Sequence, residues 1–569
     1  MNKKDLYLGA AFSIAALIII YLPWQLVQTL GVAALLLTLL VVQYRNLTLG
    51  FVLTLFFLPF SLRLNLSQTN DALSFDMIFL LFDNLALIVA WRLWQRRENP
   101  FGGWPRLALG ATVFFFVAIL MSFVVSIDHS ITIRKLWNVG QYAVGLGVML
   151  ALWREYGLPL LKRSLWALLG TGGLLSLYSL VLFYLQWPLG DAWNMRLWLI
   201  DHTVEILHGV RTASVFKSGD NNWILINGPL RAVGTFPTPM GLGQYLFVSL
   251  ILAAAFILTA PTHIRLFGHS SKPKLETGHT NATAGRYLGV NNRAELVFCY
   301  IVLILALTTE IATYSRGVWF GAILGLAVIL GLSLFRKVSQ ASPKLTANFK
   351  KLLIPFVIIM AVIVVIYAAD TVLPLPYAQS KINSTSSYSS DQVQLNNRFS
   401  EALDATNESN QVRFKVWGYA IDLFREHPIF GRGLGTFAVN DKLDIASQPK
   451  NLQSPIYSST YAHNIYLDFL AETGAVGLLA YLLLIGLSVF YAWQIWRRAN
   501  PDWQIIGAAI IAITAAMALH NIFDDMFIVP KNGLTIFMLI ALAFVGKLQT
   551  VSQPALIAEP TPSVATVHV

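Results

Sequence analysis

The chain of 569 residues is 56% hydrophobic, and only 12% of its residues are charged. A soluble globular domain carries about 25% charged residues, so this composition excludes a soluble protein and indicates that lipid is the main solvent. The net charge of +11 does not indicate nucleic-acid binding, because much of the Lys and Arg lies in short loops of the kind that face the cytoplasm. The single cysteine, Cys299, lies in an apolar run, which excludes a disulfide or a cysteine-based metal site within the chain.

Apolar stretches of about 20 residues, the length that crosses a bilayer as a helix, recur along the whole chain. They predict an all-α polytopic membrane protein with about 12–14 transmembrane helices. The predicted spans are approximately 6–22, 25–44, 47–62, 75–94, 107–126, 134–153, 164–187, 239–260, 294–313, 315–335, 351–369, 464–495, 503–523 and 533–549.

Basic residues cluster in three short connections, at 92–106, 154–163 and 336–351. The positive-inside rule assigns these connections to the cytoplasm, and with an even number of spans it predicts that both termini are cytoplasmic. Two long connections, 188–238 and 370–463, are then expected on the outer face. The sequence predicts five regions along the chain. Residues 1–230 form the N-terminal helices with an outer loop, 231–369 the central helices and 370–463 the long outer loop. Residues 464–549 form the C-terminal helices, and 550–569 form a disordered cytoplasmic tail.

One segment of the long outer loop has helical periodicity. Apolar side chains recur there at spacings of three and four residues, which predicts an amphipathic helix that ends at Pro428 and the G-R-G-L-G sequence. We expect this helix to lie on the outer membrane surface with its apolar face toward lipid. The apolar positions are Val412, Val416, Trp417, Ala420, Ile421 and Phe424.

Four arginines lie on the predicted outer face, where the positive-inside rule does not require them. Arg316 is in a very short turn between two spans, so its side chain has little room except inward or along the interface. The rigid guanidinium fork matches phosphate oxygens, and Arg231, Arg316 and Arg413 therefore predict a pyrophosphate site. Arg432 is interpreted as a side chain that extends to lipid phosphates.

A histidine stands where the long loop re-enters the membrane. His463 directly precedes the span that begins at Asn464, and because imidazoles titrate near neutral pH, it is a candidate general base. A hydrogen-bonding cap is the alternative. Asp468 and Glu472 share a face of the following helix, but Glu472 is about half a turn away from His463, so it is interpreted as a supporting, packing residue.

A second His-Asn pair, His520 and Asn521, precedes Asp524 and Asp525 at the outer end of the next span. This pair either lines the same cavity as His463 or forms an interfacial cap followed by a solvated acidic turn. No spacing of His463, His520 and Asp524 supports a metal site, so no metal is predicted.

Five motifs occur in order between Arg231 and Gly477. They are R-A-V-G-T-F-P-T-P (231–239), S-R-G-V-W-F-G (315–321), R-F-K-V-W (413–417), E-H-P-I-F-G-R-G-L-G-T-F (426–437) and A-H-N-I-Y-L-D-F-L-A-E-T-G-A-V-G-L (462–478). Together they resemble the O-antigen ligase and O-antigen polymerase superfamily. The resemblance implies a membrane glycosyltransferase of the GT-C type that uses a polyprenyl-pyrophosphate-linked glycan as donor and needs no metal or other cofactor. It also implies that His463 is the base and that Arg231 and Arg316 bind the pyrophosphate.

The resemblance leaves the acceptor open. A glycolipid acceptor corresponds to a ligase, and a growing glycan as acceptor corresponds to a polymerase. A protein hydroxyl as acceptor corresponds to a protein O-oligosaccharyltransferase. A transporter is the alternative from another class, although the chain lacks the paired halves with broken helices typical of transporters. The expected location is the bacterial inner membrane, with the active site on the periplasmic face, membrane lipid around it and no nucleic-acid partner.

Overall fold

The computed structural model describes part of the chain in detail. The described residues are 25–60, 63–65, 74–99, 104–185, 215–217, 223–225, 232, 234–236, 238–260, 289–313, 315–339, 408–437, 461–497, 501–525, 527 and 529–551. The predicted spans 6–22 and 351–369, Arg231, most of the outer loop 188–238 and most of the tail 550–569 lie outside them.

Helices make up most of the described structure. They are α1 (Gln25–Arg45), α2 (Leu47–Phe57), α3 (Met77–Arg96), α4 (Arg106–Val124), α5 (His129–Leu185), α6 (Pro239–Thr259), α7 (Arg293–Ala312), α8 (Arg316–Ser339), α9 (Glu408–Glu426), α10 (Ile465–Trp496), α11 (Pro501–His520) and α12 (Pro530–Val551). Four short strands form two antiparallel hairpins, β1 (Arg63–Asn65) with β2 (Ser74–Asp76) and β3 (Val215–Lys217) with β4 (Trp223–Leu225).

Within the described residues, nine helices are long and apolar enough to cross a membrane. The predicted all-α polytopic membrane fold is therefore confirmed. The apolar helices Val32–Arg45 and Leu47–Phe57 are shorter. The second of them ends five residues before the predicted boundary at 62, because Pro59 lacks the backbone N–H that would continue the helix.

Two predicted spans, 134–153 and 164–187, belong to one kinked element, α5. The kink is at Gly157, whose φ of 61° is in the left-handed region, and Pro159 follows it. Beside the kink, Arg96 pairs with Glu155 at 3.1 Å. Two of the predicted basic connections thus lie together at this end of the bundle.

The centre of the bundle is α6. It is apolar on all sides, and every residue of its apolar stretch is buried. A helix without a polar face requires other helices around it, and α6 packs against α5, α7, α8 and α11. This packing holds the ends of α7, α8 and α11, which carry the candidate site, in fixed positions.

A break in α10 at Gly474, where φ is 67° and ψ is −169°, joins this helix to the G-R-G-L-G turn. Such a break leaves backbone carbonyl and N–H groups without partners inside the helix, and buried backbone groups need partners. The chain at 428–433 supplies them. The bonds run from Arg432 N–H to the Ala471 carbonyl (3.1 Å), Gly433 N–H to Glu472 (2.9 Å), Ala475 N–H to Pro428 (2.9 Å) and Val476 N–H to Ile429 (3.2 Å).

The side chain of Glu472 extends the same contact. Its two carboxylate oxygens accept hydrogen bonds from the backbone N–H groups of Gly435 at 2.8 Å and Phe437 at 3.1 Å. Arg432, interpreted from sequence as extending to lipid, donates to the Tyr419 hydroxyl at 3.3 Å. Both charged side chains thus tie the turn to neighbouring helices.

The predicted amphipathic helix is found as α9. Its buried residues Ala420 and Leu423 pack against Phe437, Ala462 and Ala471, which belong to the turn and to the start of α10. Part of the apolar face therefore contacts protein, whereas Ile421 is exposed. The turn, held on the α10 break, offers the apolar surface on which the helix packs.

Gly474→Ala tests the importance of the break. The added Cβ would overlap the carbonyl group of Ile429, and the backbone conformation of residue 474 is unfavourable for alanine. We expect a loss of about 2 kcal/mol or more in stability, measured by thermal unfolding in detergent. The control is Gly486→Ala in the same helix, where a Cβ meets no atom within 4 Å. Equal melting temperatures for the two variants would contradict this account.

Candidate active site

The backbone on both sides of His463 is held by hydrogen bonds. The Ala462 N–H donates to Oδ1 of Asp468 at 2.6 Å. The Asn464 side chain caps α10 by accepting from the N–H groups of Tyr466 at 3.0 Å and Leu467 at 3.2 Å. Between these anchors His463 adopts a φ of 53°, in the left-handed region. Such a conformation costs energy and persists where the surroundings enforce it, which is typical of functional positions.

A buried carboxylate orients the His463 ring. Nδ1 of His463 lies 3.1 Å from Oδ1 of Asp524. Asp524 is fully buried, whereas the histidine side chain is 27% exposed. With Nδ1–H donated to the carboxylate, Nε2 is left as an acceptor for a substrate proton, as in other histidines oriented by carboxylates.

The loop that carries Asp524 is tied to the start of α10. The Ile465 N–H donates to the Asn521 carbonyl at 3.0 Å, and the Tyr466 hydroxyl donates to the Ala518 carbonyl at 2.9 Å. Asp524 and Asp525 are both buried, so the interpretation of this segment as a solvated acidic turn is wrong. The histidine and its carboxylate are therefore held by the same pair of helix ends.

Tyr461 connects the histidine to the cationic side of the site. The Tyr461 and His463 rings lie 4.4 Å apart between centroids. Burial raises the pKa of the Tyr461 hydroxyl well above its usual value, nearby carboxylates including Asp524 raise it further, and Arg413 opposes the shift. The hydroxyl thus stays protonated, and Arg413 lies within electrostatic range of the histidine's neighbour.

Arg316 and Arg413 approach each other through α9. Nη1 of Arg316, at the start of α8, donates to Oδ1 of Asn410 at 3.4 Å. Asn410 and Arg413 are three residues apart and so share a face of α9. Both arginine side chains are partly buried. The structure thus places two of the three predicted phosphate-binding arginines on one side of the site.

The third predicted arginine, Arg231, lies outside the described residues, but the chain that follows it is anchored. The Ala232 N–H donates to the carbonyl of Ala312, at the end of α7 and four residues before Arg316. Lys531, which is buried, donates through Nζ to the carbonyls of Thr235 at 2.8 Å and Pro59 at 2.9 Å. Lys531 was not singled out by sequence reasoning, since a lysine at the start of a span resembles any interfacial lysine.

The other predicted supporting residues have different places. Asn464 is the cap of α10, and Glu472 holds the G-R-G-L-G turn. His520 is fully buried, 5.8 Å from the Phe247 ring between centroids, and neither ring nitrogen has a hydrogen-bond partner in the described part of the chain. It does not hydrogen-bond to His463. Asp524, which the sequence indicated as part of an acidic turn and as a member of an unsupported metal set, contacts the histidine directly.

Part of the chain matches a known protein family. Residues 301–482 match the family model described as O-antigen ligase. The resemblance to the O-antigen ligase superfamily is confirmed over this segment. The segment contains Arg316, Arg413 and His463 and ends before Asp524.

One relative is an uncharacterized protein of Haemophilus influenzae. It is 26% identical over 241 residues, which are 42% of this chain and 54% of the relative. The match thus spans about half the length of that relative.

Asp524→Asn tests whether the carboxylate orients His463. We expect glycosyl transfer to fall by about 10- to 100-fold, the range found when a partner that orients a functional histidine is removed. Rates measured with the purified protein in detergent check this. If Asp524 acts only by orienting His463, Asp524→Asn lowers kcat and leaves the donor KM unchanged. A raised donor KM would show a separate role for Asp524 in binding the donor.

Proposed function

We propose that the chain transfers a glycan from a polyprenyl-pyrophosphate donor to an acceptor hydroxyl at the outer face of a bacterial inner membrane. The observation that carries the proposal is the His463–Asp524 pair, held beside Arg413 and Arg316. His463 and both arginines lie in the segment that matches the O-antigen ligase family. A proton acceptor next to a cationic site is what displacement of a pyrophosphate by a hydroxyl requires.

The proposed reaction is one displacement. Nε2 of His463 takes the proton of the acceptor hydroxyl as its oxygen bonds to the anomeric carbon. The bond from that carbon to the pyrophosphate oxygen breaks at the same time, and its electron pair leaves with the polyprenyl pyrophosphate. Because attack comes from the side opposite the leaving group, the configuration at the anomeric carbon inverts.

The arginines stabilise the charge that develops on the leaving group. Arg316, Arg413 and Arg231 are proposed to hold the pyrophosphate, whose negative charge is matched by guanidinium forks. Pyrophosphate is already a good leaving group, so alignment and charge stabilisation supply most of the required acceleration. This role needs neither a metal nor another cofactor.

The side of the membrane on which the site lies is also part of the proposal. The basic connections beside Arg96 and at the α5 kink lie together, as expected of a cytoplasmic end. The site is formed instead where α8 and α10 begin and α11 ends. With the basic connections and both termini in the cytoplasm, the site faces outward, where a translocated lipid-linked glycan arrives.

His463→Ala should abolish transfer while the protein remains folded in the membrane, because the variant lacks the imidazole that is proposed to take the proton of the acceptor hydroxyl. Donor accumulation, measured by mass spectrometry of lipid-linked glycans from cells that carry the variant, checks this. The matched control is His427→Ala, an exposed histidine at the end of α9, for which we expect unchanged transfer. Full activity of His463→Ala would show that the base is wrongly assigned.

The accumulated glycan also identifies the acceptor class. Long chains on the lipid carrier indicate a lost ligase, and single repeats indicate a lost polymerase. Glycoprotein loss without either change indicates transfer to a protein hydroxyl.

Arg316→Lys keeps the positive charge but removes the planar fork. We expect the donor KM to rise by about tenfold, because lysine cannot make the paired hydrogen bonds of a guanidinium to phosphate oxygens. Steady-state transfer with varied donor measures it. Arg425→Lys, on the exposed surface of α9 where Arg425 pairs with Asp422, is the control and should leave the KM unchanged. An unchanged donor KM in Arg316→Lys would remove this residue from the pyrophosphate site.

A further inference from the structure

A cavity of about 340 Å³ is lined by Asp468, which holds the backbone next to His463, although His463 itself does not line it. Four segments enclose the cavity: the N-terminal half of α5, the G-R-G-L-G turn, the start of α10 and the loop between α11 and α12 that carries Asp525 and Phe527. Its volume is within the range of about 300–1,000 Å³ that is typical of small-molecule sites.

Asp468, which lines the cavity, has one side-chain oxygen without a partner among the described residues. Oδ1 of Asp468 accepts the Ala462 N–H, but Oδ2 is buried without a hydrogen-bond partner in the described part of the chain. The Asp468 side chain is only 3% exposed. A buried carboxylate oxygen without a partner is costly, so a donor group is expected to fill this position. Glu472, in the same wall, has both oxygens occupied by the turn.

The cavity offers donors, acceptors and aromatic faces together. Lys135 and Asn138 of α5 line it and can donate, whereas Asp468 and Asp525 can accept. The rings of Tyr142, Phe469 and Phe527 form the apolar part of the wall. Donors and acceptors in one wall with aromatic rings suit a ligand ring with several hydroxyl groups, because each hydroxyl both donates and accepts and the C–H groups of the ligand pack on aromatic surfaces.

The protonation of Asp525 agrees with a neutral ligand. Burial raises the pKa of this carboxyl to about 7, while a hydrogen bond from the Phe527 N–H and the charge of Lys135 oppose the increase. Below this pKa the carboxyl is neutral and can donate, and above it the carboxylate accepts. Near neutral pH a large share of the Asp525 side chains is therefore uncharged, and the ligand does not need to be a cation.

Two residues of the cavity wall, Asp468 and Asp525, lie next to groups that hold His463. Asp468 binds the backbone of Ala462, next to His463, and Asp525 follows Asp524, which pairs with the imidazole. A pyrophosphate is better matched by the guanidinium groups of Arg316 and Arg413 than by the carboxyl groups of this wall. The two halves of the site thus differ in the ligand chemistry that they suit.

We propose that this cavity is the acceptor subsite and binds a neutral sugar ring, with Asp468 accepting a hydroxyl hydrogen bond and selecting against anionic sugars. This assignment rests on the proposed function, because only an acceptor hydroxyl has to reach His463. The donor glycan is held from the arginine side and is not expected to depend on Asp468.

Sugar binding to the full chain in lipid nanodiscs tests the proposal. The probes are the methyl glycosides of glucose, galactose and N-acetylglucosamine, with methyl glucuronide as the anionic counterpart, measured by saturation-transfer NMR. We expect at least one neutral glycoside to bind and the glucuronide not to bind. In Asp468→Asn, which keeps an oxygen for the Ala462 N–H, binding should weaken by about tenfold, as expected for loss of one hydrogen bond to the sugar.

Two further variants make the result decisive. Asp422→Asn, on the exposed face of α9, is the matched control and should bind like the wild type. Asn138→Leu removes a second polar group without touching the backbone anchor of Ala462, and it serves as the test if Asp468→Asn lowers the melting temperature. The proposal is overturned if no neutral glycoside binds, if the glucuronide binds equally well, or if both cavity variants bind like the wild type.

Failure of this inference is distinguishable from failure of the proposed function. If His463→Ala loses transfer while Asp468→Asn and Asn138→Leu keep wild-type sugar binding and transfer, only the cavity assignment fails. If His463→Ala retains full transfer, the catalytic assignment fails whatever the sugar measurements show.

Discussion

The four backbone hydrogen bonds between residues 428–433 and the break in α10 determine how the site is assembled. At Gly474 the helix is interrupted, so the neighbouring backbone N–H and carbonyl groups have no hydrogen-bond partners within the helix. Buried backbone groups need such partners elsewhere. The G-R-G-L-G turn provides them, so the end of the long outer loop is bound to a membrane helix. α9 then packs on this turn and on the start of α10, and it carries Arg413 to the site.

The same anchoring explains the conformation of His463. With Ala462 held by Asp468 and Asn464 acting as the helix cap, the residue between them has little freedom, and a left-handed φ is enforced. Asp524 is brought to the ring because the Asn521 carbonyl accepts the first N–H of α10. The histidine is thus oriented by contacts that are independent of any substrate, which is the condition for preorganised catalysis.

Charge is distributed unevenly around this histidine. Arg316 and Arg413 lie toward α8 and α9, whereas Asp468 and Asp525 lie toward α5 and the cavity. A transferase that joins an anionic donor to a hydroxyl-bearing acceptor gains from this arrangement, because each half of the site suits the chemistry of one substrate. Tyr461 lies between the two halves and is influenced by charges of both signs.

The sequence by itself determined the membrane class, most of the spans in the described residues and the motifs that contain His463, Arg316 and Arg413. Lipid requires long apolar helices, and these side-chain types carry recognisable chemistry, so both can be read locally. Only the tertiary structure decided that Asp524, 61 positions from His463, is its partner, that α9 packs Ala420 and Leu423 on protein, and that Gly474 breaks α10. These features depend on contacts between distant segments, and the packing of α6, α8, α10 and α11 creates those contacts.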